Sequence, residues 1–356
     1  MDSLKALQRK NRRNQIVIVS MLIAVFAVGL LCLFVGSSNM SFADGVNALL
    51  GGGTPAQERI LLNIRLPRVL AAIVAGAGLS IAGLMMQTTL SNAMASPSTL
   101  GVSNAAVFGA NLSIIAFAGG FLSTGNNLQS FDVGANPFAT SVLAFVFSTA
   151  SVLLILGLCT VRSFSPNVVV LSGMAIGAVW TALTTILQFY ATDVGLSAAV
   201  VWSFGDLGRA TFETDIIMAA AVAVGFVCFY TMRWKYNTLL AGEATAKTMG
   251  VNVAGLRFVT LLLSSVITAV CVSFLGVIGF VGIICPHITK KLMGHDHRFT
   301  LPVSCLMGSL LLLLADTASR TLGGGSALPV GAITSLLGAP FFIAIIFGRK
   351  EGHHGC

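Results

Sequence analysis

The stretch RWKYNTLLAGEATAKTMGVNVAGLR, residues 233–257, is the one long polar segment in a chain that is otherwise almost continuously apolar. Glu243 and Lys247 are four residues apart, in the favourable order for a helical ion pair. Gly250 stands where a glycine would end such a helix. The segment is interpreted either as a solvated connection or as a pair of short docking helices on the cytoplasmic side.

The composition around this segment is that of a membrane protein. Charged residues make up 9% of the 356 residues and hydrophobic residues 56%, and the mean hydropathy is +0.92. No soluble domain of this size is so poor in charge. The seven cysteines include no CxxC pair, so neither a disulfide framework nor a zinc site is indicated. The fold class predicted is an all-α polytopic membrane protein.

The apolar runs predict about ten transmembrane helices. The first apolar run is roughly 32 Å long at 1.5 Å per residue, which suits a membrane span better than a secretory signal. The predicted division is a cytoplasmic tail at 1–14, a single transmembrane domain at 15–349 that includes the loop 233–257, and a cytoplasmic tail at 350–356. The predicted spans are 15–36, 66–87, 100–120, 138–160, 168–190, 214–232, 256–275, 278–293, 300–316 and 333–348. The eighth is short and glycine-rich, which is typical of a partial or tilted helix.

An even number of spans places both termini on one side, and the distribution of charge identifies that side as the cytoplasm. With this orientation, 15 of the 20 lysines and arginines lie on the inside, as the positive-inside rule expects. The net charge of +8 therefore reflects topology, and no nucleic-acid partner is predicted. The five remaining basic residues are Arg59, Arg65, Arg68, Arg209 and Arg320.

Two patterns of small and polar residues bear on packing. Small residues spaced by four let helices approach closely in lipid, which predicts a tight bundle. Segments 91–104 and 162–167 break the helical pattern and are interpreted either as ordinary turns or as the lining of a path, since irregular backbone at membrane depth needs protein or water around it. The small residues spaced by four are Ala72, Gly76 and Ser80 in one run and Gly173, Gly177 and Thr181 in another.

The outer arginines have two interpretations. Asp316 and Arg320 are four residues apart and could pair with each other, which for an exposed pair contributes only about 0–1 kcal/mol. Alternatively, a cluster formed by Arg65, Arg68 and Arg320 could receive acidic residues of a partner and steer its approach.

Familiar catalytic motifs do not occur in the chain. There is no GxxxxGK[ST], no HExxH and no GxSxG, which argues against a nucleotide-binding loop or a hydrolase of the chain's own. The triplet His295-Asp296-His297 is interpreted as part of a solvated loop, and Gly323–Ser326 as a flexible turn. All twelve acidic residues fall in loops or near span ends, which disfavours an ion-coupled carrier and suggests that energy comes from a separate subunit.

Seven stretches, in order along the chain, resemble the permease subunits of the FecCD-type ABC importers for iron–siderophore complexes, haem and vitamin B12. They are RLPRVLAAIVAGAGLSIAGLMMQ (65–87), NAMASPSTLGVSNAAVFGA (92–110), VLSGMAIGA (170–178), AGEATAKTMGVNV (241–253), FLGVIGFVGIICPHITKKLMGHDHR (274–298), LLADTASR (313–320) and LPVGAITSLLGAPFFI (328–343).

The resemblance implies a ten-helix permease of the B12/iron-chelate importer fold in a bacterial cytoplasmic membrane. Its partners would be a second permease subunit, two copies of an ABC ATPase and an extracytoplasmic substrate-binding protein. The chain itself would bind no cofactor, because ATP and magnesium belong to the ATPase. The preferred cargo is an iron–siderophore complex, with haem or vitamin B12 as alternatives. The rivals are an ion-coupled secondary carrier and a membrane-embedded sensor.

The resemblance also implies roles for particular residues. Arg65, Arg68 and Arg320 would meet the binding protein. Asn92 and Met94 match a narrow gate, although this chain has Asn-Ala-Met where the family has Asn-Pro-Leu. The loop 121–137 is longer than is usual in the family. A second gate loop would contain Ser165, Pro166 and Asn167. The residues matching the ATPase-coupling helices are Leu239, Leu240, Gly242, Glu243, Lys247, Met249 and Gly250.

Overall fold

The computed structural model describes residues 2–35, 45, 47, 51–117, 137–161, 165–322 and 327–347. The predicted outer loop 121–137, except its last residue, lies outside the described residues, as do 162–164, 323–326 and the C-terminal tail. In the described part the chain is helical, with the helices α1 (Asp2–Phe34), α2 (Pro55–Thr89), α3 (Val102–Phe117), α4 (Pro137–Val161), α5 (Pro166–Phe189), α6 (Asp193–Ser203), α7 (Phe212–Thr231), α8 (Arg233–Leu240), α9 (Glu243–Thr248), α10 (Val253–Leu275), α11 (Val281–Met293), α12 (His297–Leu322) and α13 (Val330–Phe347).

Helix α2 is the central helix of the bundle. It packs against α1, α7, α10, α11 and α12, and 83% of its most apolar stretch is buried, against 22% for α1 and for α5. Its many alanines and glycines make this possible, since small side chains let neighbouring backbones approach closely. Helices α1 and α5 therefore present most of their apolar surface outward, to lipid or to another subunit.

Close crossings hold α2 against its neighbours. A Cβ atom on Gly76 would overlap the carbonyl group of Gly308 in α12, 2.7 Å from its carbon. One turn further on, the Ser80 hydroxyl donates to the carbonyl oxygen of Ser304 at 2.6 Å. The tight packing predicted along Ala72, Gly76 and Ser80 is confirmed.

The described helices that match the ten predicted spans differ in length. Seven helices in the described residues are long and apolar enough to cross a membrane. The predicted spans 100–120, 278–293 and 333–348 correspond to α3, α11 and α13. Helix α11 has 13 residues, about 20 Å of helix, because the chain before it is irregular, with positive φ at Gly276 and Phe280. Helix α6 was not predicted at all.

The two ends of α2 carry different features. The C-terminal end lies beside the 233–257 segment, as the contacts below show, and Val17 and Ile18 of α1 pack near that end on Met293, Phe299 and Val303. In the N-terminal half of α2, Arg65 lies against the last turn of α1 and donates to the carbonyl oxygen of Leu33. The bundle therefore has one end built around the polar segment and another built around arginines.

Candidate functional site

Residues 233–257, here called the coupling segment, contain the two short helices α8 and α9 and the first turn of α10. Helix α9 ends in a Schellman motif, in which the N–H of Gly250 donates to the carbonyl oxygen of Lys247 and the N–H of Val251 to that of Ala246, both at 3.0 Å. Gly250 has φ +81°, a left-handed conformation that glycine adopts without cost. The predicted helix pair and its glycine terminus are confirmed.

One face of the coupling segment is apolar and exposed. The side chains of Leu240 and Met249 are 44% and 65% exposed, and a groove of about 590 Å³ runs past Trp234, Thr238 and Met249. Leu239, predicted from the resemblance as a coupling residue, is instead buried in the main core. Helix α8 thus anchors one face in the bundle and offers the other to solvent or to a partner.

The carboxylate of Glu243 forms ion pairs with two basic side chains. Its Oε1 atom lies 2.9 Å from Nζ of Lys247, the predicted helical pair, and its Oε2 atom lies 2.7 Å from Nη2 of Arg257. Hydrogen bonds from Lys247 and then Arg257 lower the pKa of Glu243 below its usual value, so the carboxylate is charged at neutral pH. The stabilisation from these pairs is present above the ordinary glutamate pKa of about 4.3 and is lost as the pH falls below it.

Arg257 connects this carboxylate to the end of α2. The residue is 5% exposed, and its Nε atom donates to the carbonyl oxygen of Thr89 at 3.3 Å. Thr89 is the last residue of α2, and its carbonyl group is one of those that a helix end leaves without an intrahelical partner. Arg257 therefore completes the C-terminus of α2 while it holds Glu243 of α9.

Helix α8 reaches the same end of α2 by another route. The side-chain oxygen of Asn237 accepts a hydrogen bond from Nδ1 of His297 at 2.7 Å. The Nε2 atom of the same ring lies 3.1 Å from the hydroxyl of Thr88, which itself donates to the carbonyl oxygen of Leu84 at 2.9 Å. Asp296 fixes the orientation of Asn237, because its Oδ1 atom accepts from the Asn237 amide at 2.9 Å.

The residues 90–101, here called the gate segment, follow Thr89 directly. Ser91 adopts a positive φ of 47°, which turns the chain away from the axis of α2. The Asn92 side chain then accepts from the N–H of Met94 at 2.9 Å. Met94 is 48% exposed, so one of the two predicted gate residues orders the turn and the other projects from it.

The second predicted gate lies at the start of α5. Ser165 caps this helix by accepting from the N–H of Val168 at 3.4 Å, and Pro166 occupies the first turn, where a missing N–H costs nothing. Asn167 is exposed.

Helices α3 and α5 run side by side in the same direction, which brings the two predicted gates to one end. A Cβ atom on Gly101 would lie 2.8 Å from Cα of Gly177, and further along Asn104 donates to the hydroxyl of Thr181 at 3.0 Å. The groove between these helices has a volume of about 570 Å³. Its polar lining consists of the neutral side chains Ser98, Thr99, Asn104, Thr181 and Thr185.

The three arginines predicted to meet a binding protein, Arg65, Arg68 and Arg320, are buried within the described chain. Asp316 accepts from Nε of Arg68 at 2.7 Å and lies 3.0 Å from Nε of Arg320. Arg320 also donates to the carbonyl oxygen of Val35 at 2.6 Å, and Arg65 to that of Leu33 at 2.8 Å. Arg65 and Arg320 thus satisfy carbonyl groups at the C-terminal end of α1, where positive charge is favoured.

The sequence interpretation of His295-Asp296-His297 as part of a solvated loop is wrong for His297. His297 is 1% exposed, and Asp296 is partly buried against Asn237. An available signal was the aspartate just before an apolar helix, a typical N-cap; its carbonyl oxygen accepts from the N–H of Thr300 at 3.0 Å. In the described residues no cluster of three or more His, Cys, Asp or Glu could hold a metal ion.

Known proteins resemble this chain over almost its whole length. Residues 21–348 match the family model described as the FecCD transport family. A Methanocaldococcus jannaschii protein named as an ABC transporter permease is 43% identical over 92% of this chain and 93% of its own length. The hemin transport system permease protein HmuU of Yersinia pestis is 34% identical over 92% and 95%.

A solved structure described as an inward-facing metal-chelate type ABC transporter superposes with a TM-score of 0.80 at 25% identity, covering 93% of this chain and 99% of that one. Other similar proteins are named for different cargoes. They include a Bacillus subtilis permease for Fe(3+)-citrate import, at 29% identity over 96% of this chain and 98% of that protein. A Haemophilus influenzae permease for molybdate import is 30% identical over 84% of each chain.

Proposed function

Because this chain belongs to the FecCD transport family, it is a multi-span ABC importer permease without enzymatic chemistry of its own, and we propose that its cargo is an iron–siderophore complex. The observation that carries the proposal is the groove between α3 and α5, whose polar lining is made of neutral hydroxyl and amide groups. Such a lining suits the polar periphery of a bulky chelate whose metal is already fully ligated. Haem and vitamin B12 are the alternative cargoes.

The proposed assembly pairs this chain with a second permease subunit, identical or related. The exposed apolar residues along α5 support that contact, because an apolar helix face favours another subunit or lipid. Those residues are Leu171, Met174, Val179 and Ile186. Two ABC ATPase subunits, which hold ATP and magnesium, would dock on the coupling segment, and a substrate-binding protein would dock at the opposite end of the bundle.

In this proposal the chain lies in the cytoplasmic membrane with both termini in the cytoplasm, as the charge distribution favours. ATP binding draws the two ATPases together and displaces α8 and α9. The helices around the groove then switch between outward and inward access. Membership of an ABC importer family argues against the ion-coupled carrier.

Uptake of radioactive iron–siderophore into proteoliposomes tests the cargo. We expect uptake only when the permease, its ATPase, the binding protein and ATP are all present. Uptake that persists without the ATPase would contradict the ATP-driven mechanism. A complex that assembles and hydrolyses ATP but moves no iron chelate would exclude the siderophore and direct the same assay to haem and vitamin B12.

Gly250 provides a test of ATPase docking. A Gly250→Val substitution places a β-branched residue at φ +81°, where left-handed backbone costs about 1–2 kcal/mol, while nothing lies within 4 Å of the new Cβ atom. We expect an intact transmembrane bundle and a smaller fraction of ATPase co-purifying with it. Gly250→Asn is the control, because asparagine tolerates this conformation. Equal ATPase capture by all three proteins would contradict the docking role.

A further inference from the structure

Each helix of the coupling segment reaches the last residues of α2 through its own chain of side-chain contacts. The α9 arm runs from Glu243 through Arg257 to the carbonyl oxygen of Thr89, with distances of 2.7 and 3.3 Å. The α8 arm runs from Asn237 through His297 to the hydroxyl of Thr88, with distances of 2.7 and 3.1 Å. Two helices of one surface segment are thus bound to adjacent residues of the central helix.

The inner parts of both arms are buried. Arg257 is 5% exposed, His297 1%, Thr88 4% and Thr89 0%. Polar contacts at such depth are poorly screened, and separating them leaves groups without partners, so they resist being pulled apart. Each outer residue, Glu243 on α9 and Asn237 on α8, lies on the element that would move first. The arms therefore lead from a movable surface to an enclosed helix end.

The last carbonyl oxygens of α2 all accept hydrogen bonds only when the α9 arm is in place. The carbonyl oxygens of Met86, Gln87 and Thr88 accept from the backbone N–H groups of Leu90, Asn92 and Ser91. The carbonyl oxygen of Thr89 accepts from Arg257 instead. The backbone turn that begins the gate segment and the contact that ends the α9 arm thus share one helix terminus.

We propose that these two arms form a two-point linkage that transmits displacement of α8 and α9 to the gate segment, with Arg257 and His297 as positioning residues. The proposal rests on the proposed function, since it assigns the ATPase as the source of the displacement. Attachment at two adjacent residues fixes the orientation of the α2 end as well as its position. With a single contact, displacement of only one of the two helices would reach that end through these side chains.

Arginine is required at position 257 for a geometric reason. Its planar fork presents Nη2 to the Glu243 carboxylate while Nε donates to Thr89. A lysine would keep the charge but has a single nitrogen, which cannot hold both partners in that geometry. An Arg257→Lys substitution therefore breaks the linkage while it keeps the positive charge at position 257.

The test uses the full complex of permease, ATPase and binding protein in proteoliposomes. A fluorescent unnatural amino acid replaces Met94 in the gate segment, and its accessibility to a soluble quencher is measured with and without ATP, alongside ATP hydrolysis. We expect Arg257→Lys to reduce the ATP-dependent change in quenching about tenfold relative to ATP hydrolysis, within the usual range of coupling between sites. The matched control is Lys291→Gln, which changes an exposed charge outside both arms and should behave as wild type.

Combined substitutions distinguish one arm from two. Adding Glu243→Gln to Arg257→Lys should change little, because both act in one arm, whereas adding Asn237→Ala should reduce the response further. An undiminished response in Arg257→Lys would overturn the linkage, and so would a parallel fall of quenching change and ATP hydrolysis, which indicates lost docking alone. If Arg257→Lys is not recovered folded, the same measurement on Glu243→Gln tests the α9 arm. This variant is expected to fold, because the Glu243 side chain is 43% exposed.

This experiment distinguishes failure of the proposed linkage from failure of the proposed cargo. A wild-type complex with an ATP-dependent quenching change and no iron uptake would exclude the siderophore and leave the linkage testable. A wild-type complex with no ATP-dependent change at Met94 would overturn the linkage, whatever its cargo.

Discussion

A Gly83→Val variant is expected to yield no folded protein in the membrane. A Cβ atom on Gly83 would lie 2.5 Å from the carbonyl carbon of Gly282 and 2.6 Å from its Cα atom. The obstacle is the backbone of α11, which cannot rotate away as a side chain can. Overpacking a core costs about 1–3 kcal/mol where neighbours can adjust. Here a helix must shift, so we expect more than about 4 kcal/mol, the range of severe defects.

Gly157→Val is the matched control, measured like Gly83→Val by the yield of monodisperse protein in detergent and by the midpoint of thermal unfolding. Gly157 also lies inside a membrane span, but nothing is within 4 Å of its Cβ position. We expect a yield close to that of the wild type. An equal loss in both variants would show that valine impairs insertion in general. A stable, folded Gly83→Val protein would contradict the close crossing of α2 and α11.

The crossing shows which parts of the fold could be predicted. The repeat of Ala72, Gly76 and Ser80 is local in sequence, and it predicted the tight face of α2. The role of Gly83 depends on Gly282, which is far away in the chain, and no spacing pattern points to it. Apolar runs likewise located the long helices and indicated a short one at 278–293. They placed its start three residues before Val281, because the true start of α11 depends on tertiary packing, in which Gly276 lies against the carbonyl oxygen of Trp202.

The candidate site divides in the same way. The Glu243–Lys247 pair and the glycine that ends α9 follow from spacing along one helix, and both were predicted. The contacts of Arg257 with Thr89 and of His297 with Thr88 join residues 168 and 209 positions apart. Their existence depends on how the helices pack, so the sequence alone left His297 in a solvated loop. Contacts within one helix can therefore be predicted from spacing along the sequence, whereas contacts between distant helices depend on tertiary packing.

The contribution of the ion pair between Asp316 and Arg320 depends on its burial, which the sequence alone does not give. As an exposed pair, Asp316 and Arg320 would contribute about 0–1 kcal/mol. In the structure the Asp316 side chain is 2% exposed and those of Arg68 and Arg320 are 11% and 8% exposed. One buried carboxylate therefore pairs with two guanidinium groups and joins α2 to α12, and Arg320 also joins α12 to the end of α1. The first effect of changing any member of this cluster is on folding, and docking of a binding protein has to be measured on variants that remain folded.

An Asp316→Asn substitution is accordingly expected to destabilise the protein by about 3–5 kcal/mol, the cost of removing one partner from a buried ion pair. The asparagine keeps the shape of the side chain but removes the buried counter-charge that Arg68 and Arg320 share, leaving only the half-exposed Asp206 at 3.6 Å from Arg68. Asp206→Asn is the matched control, because Asp206 lies 3.6 Å from the same Arg68 but is 46% exposed, and we expect its effect to stay below about 1 kcal/mol. Thermal unfolding of the purified variants measures both. An unchanged midpoint for Asp316→Asn, together with weaker capture of the binding protein, would show that the arginines serve docking rather than the attachment of α1.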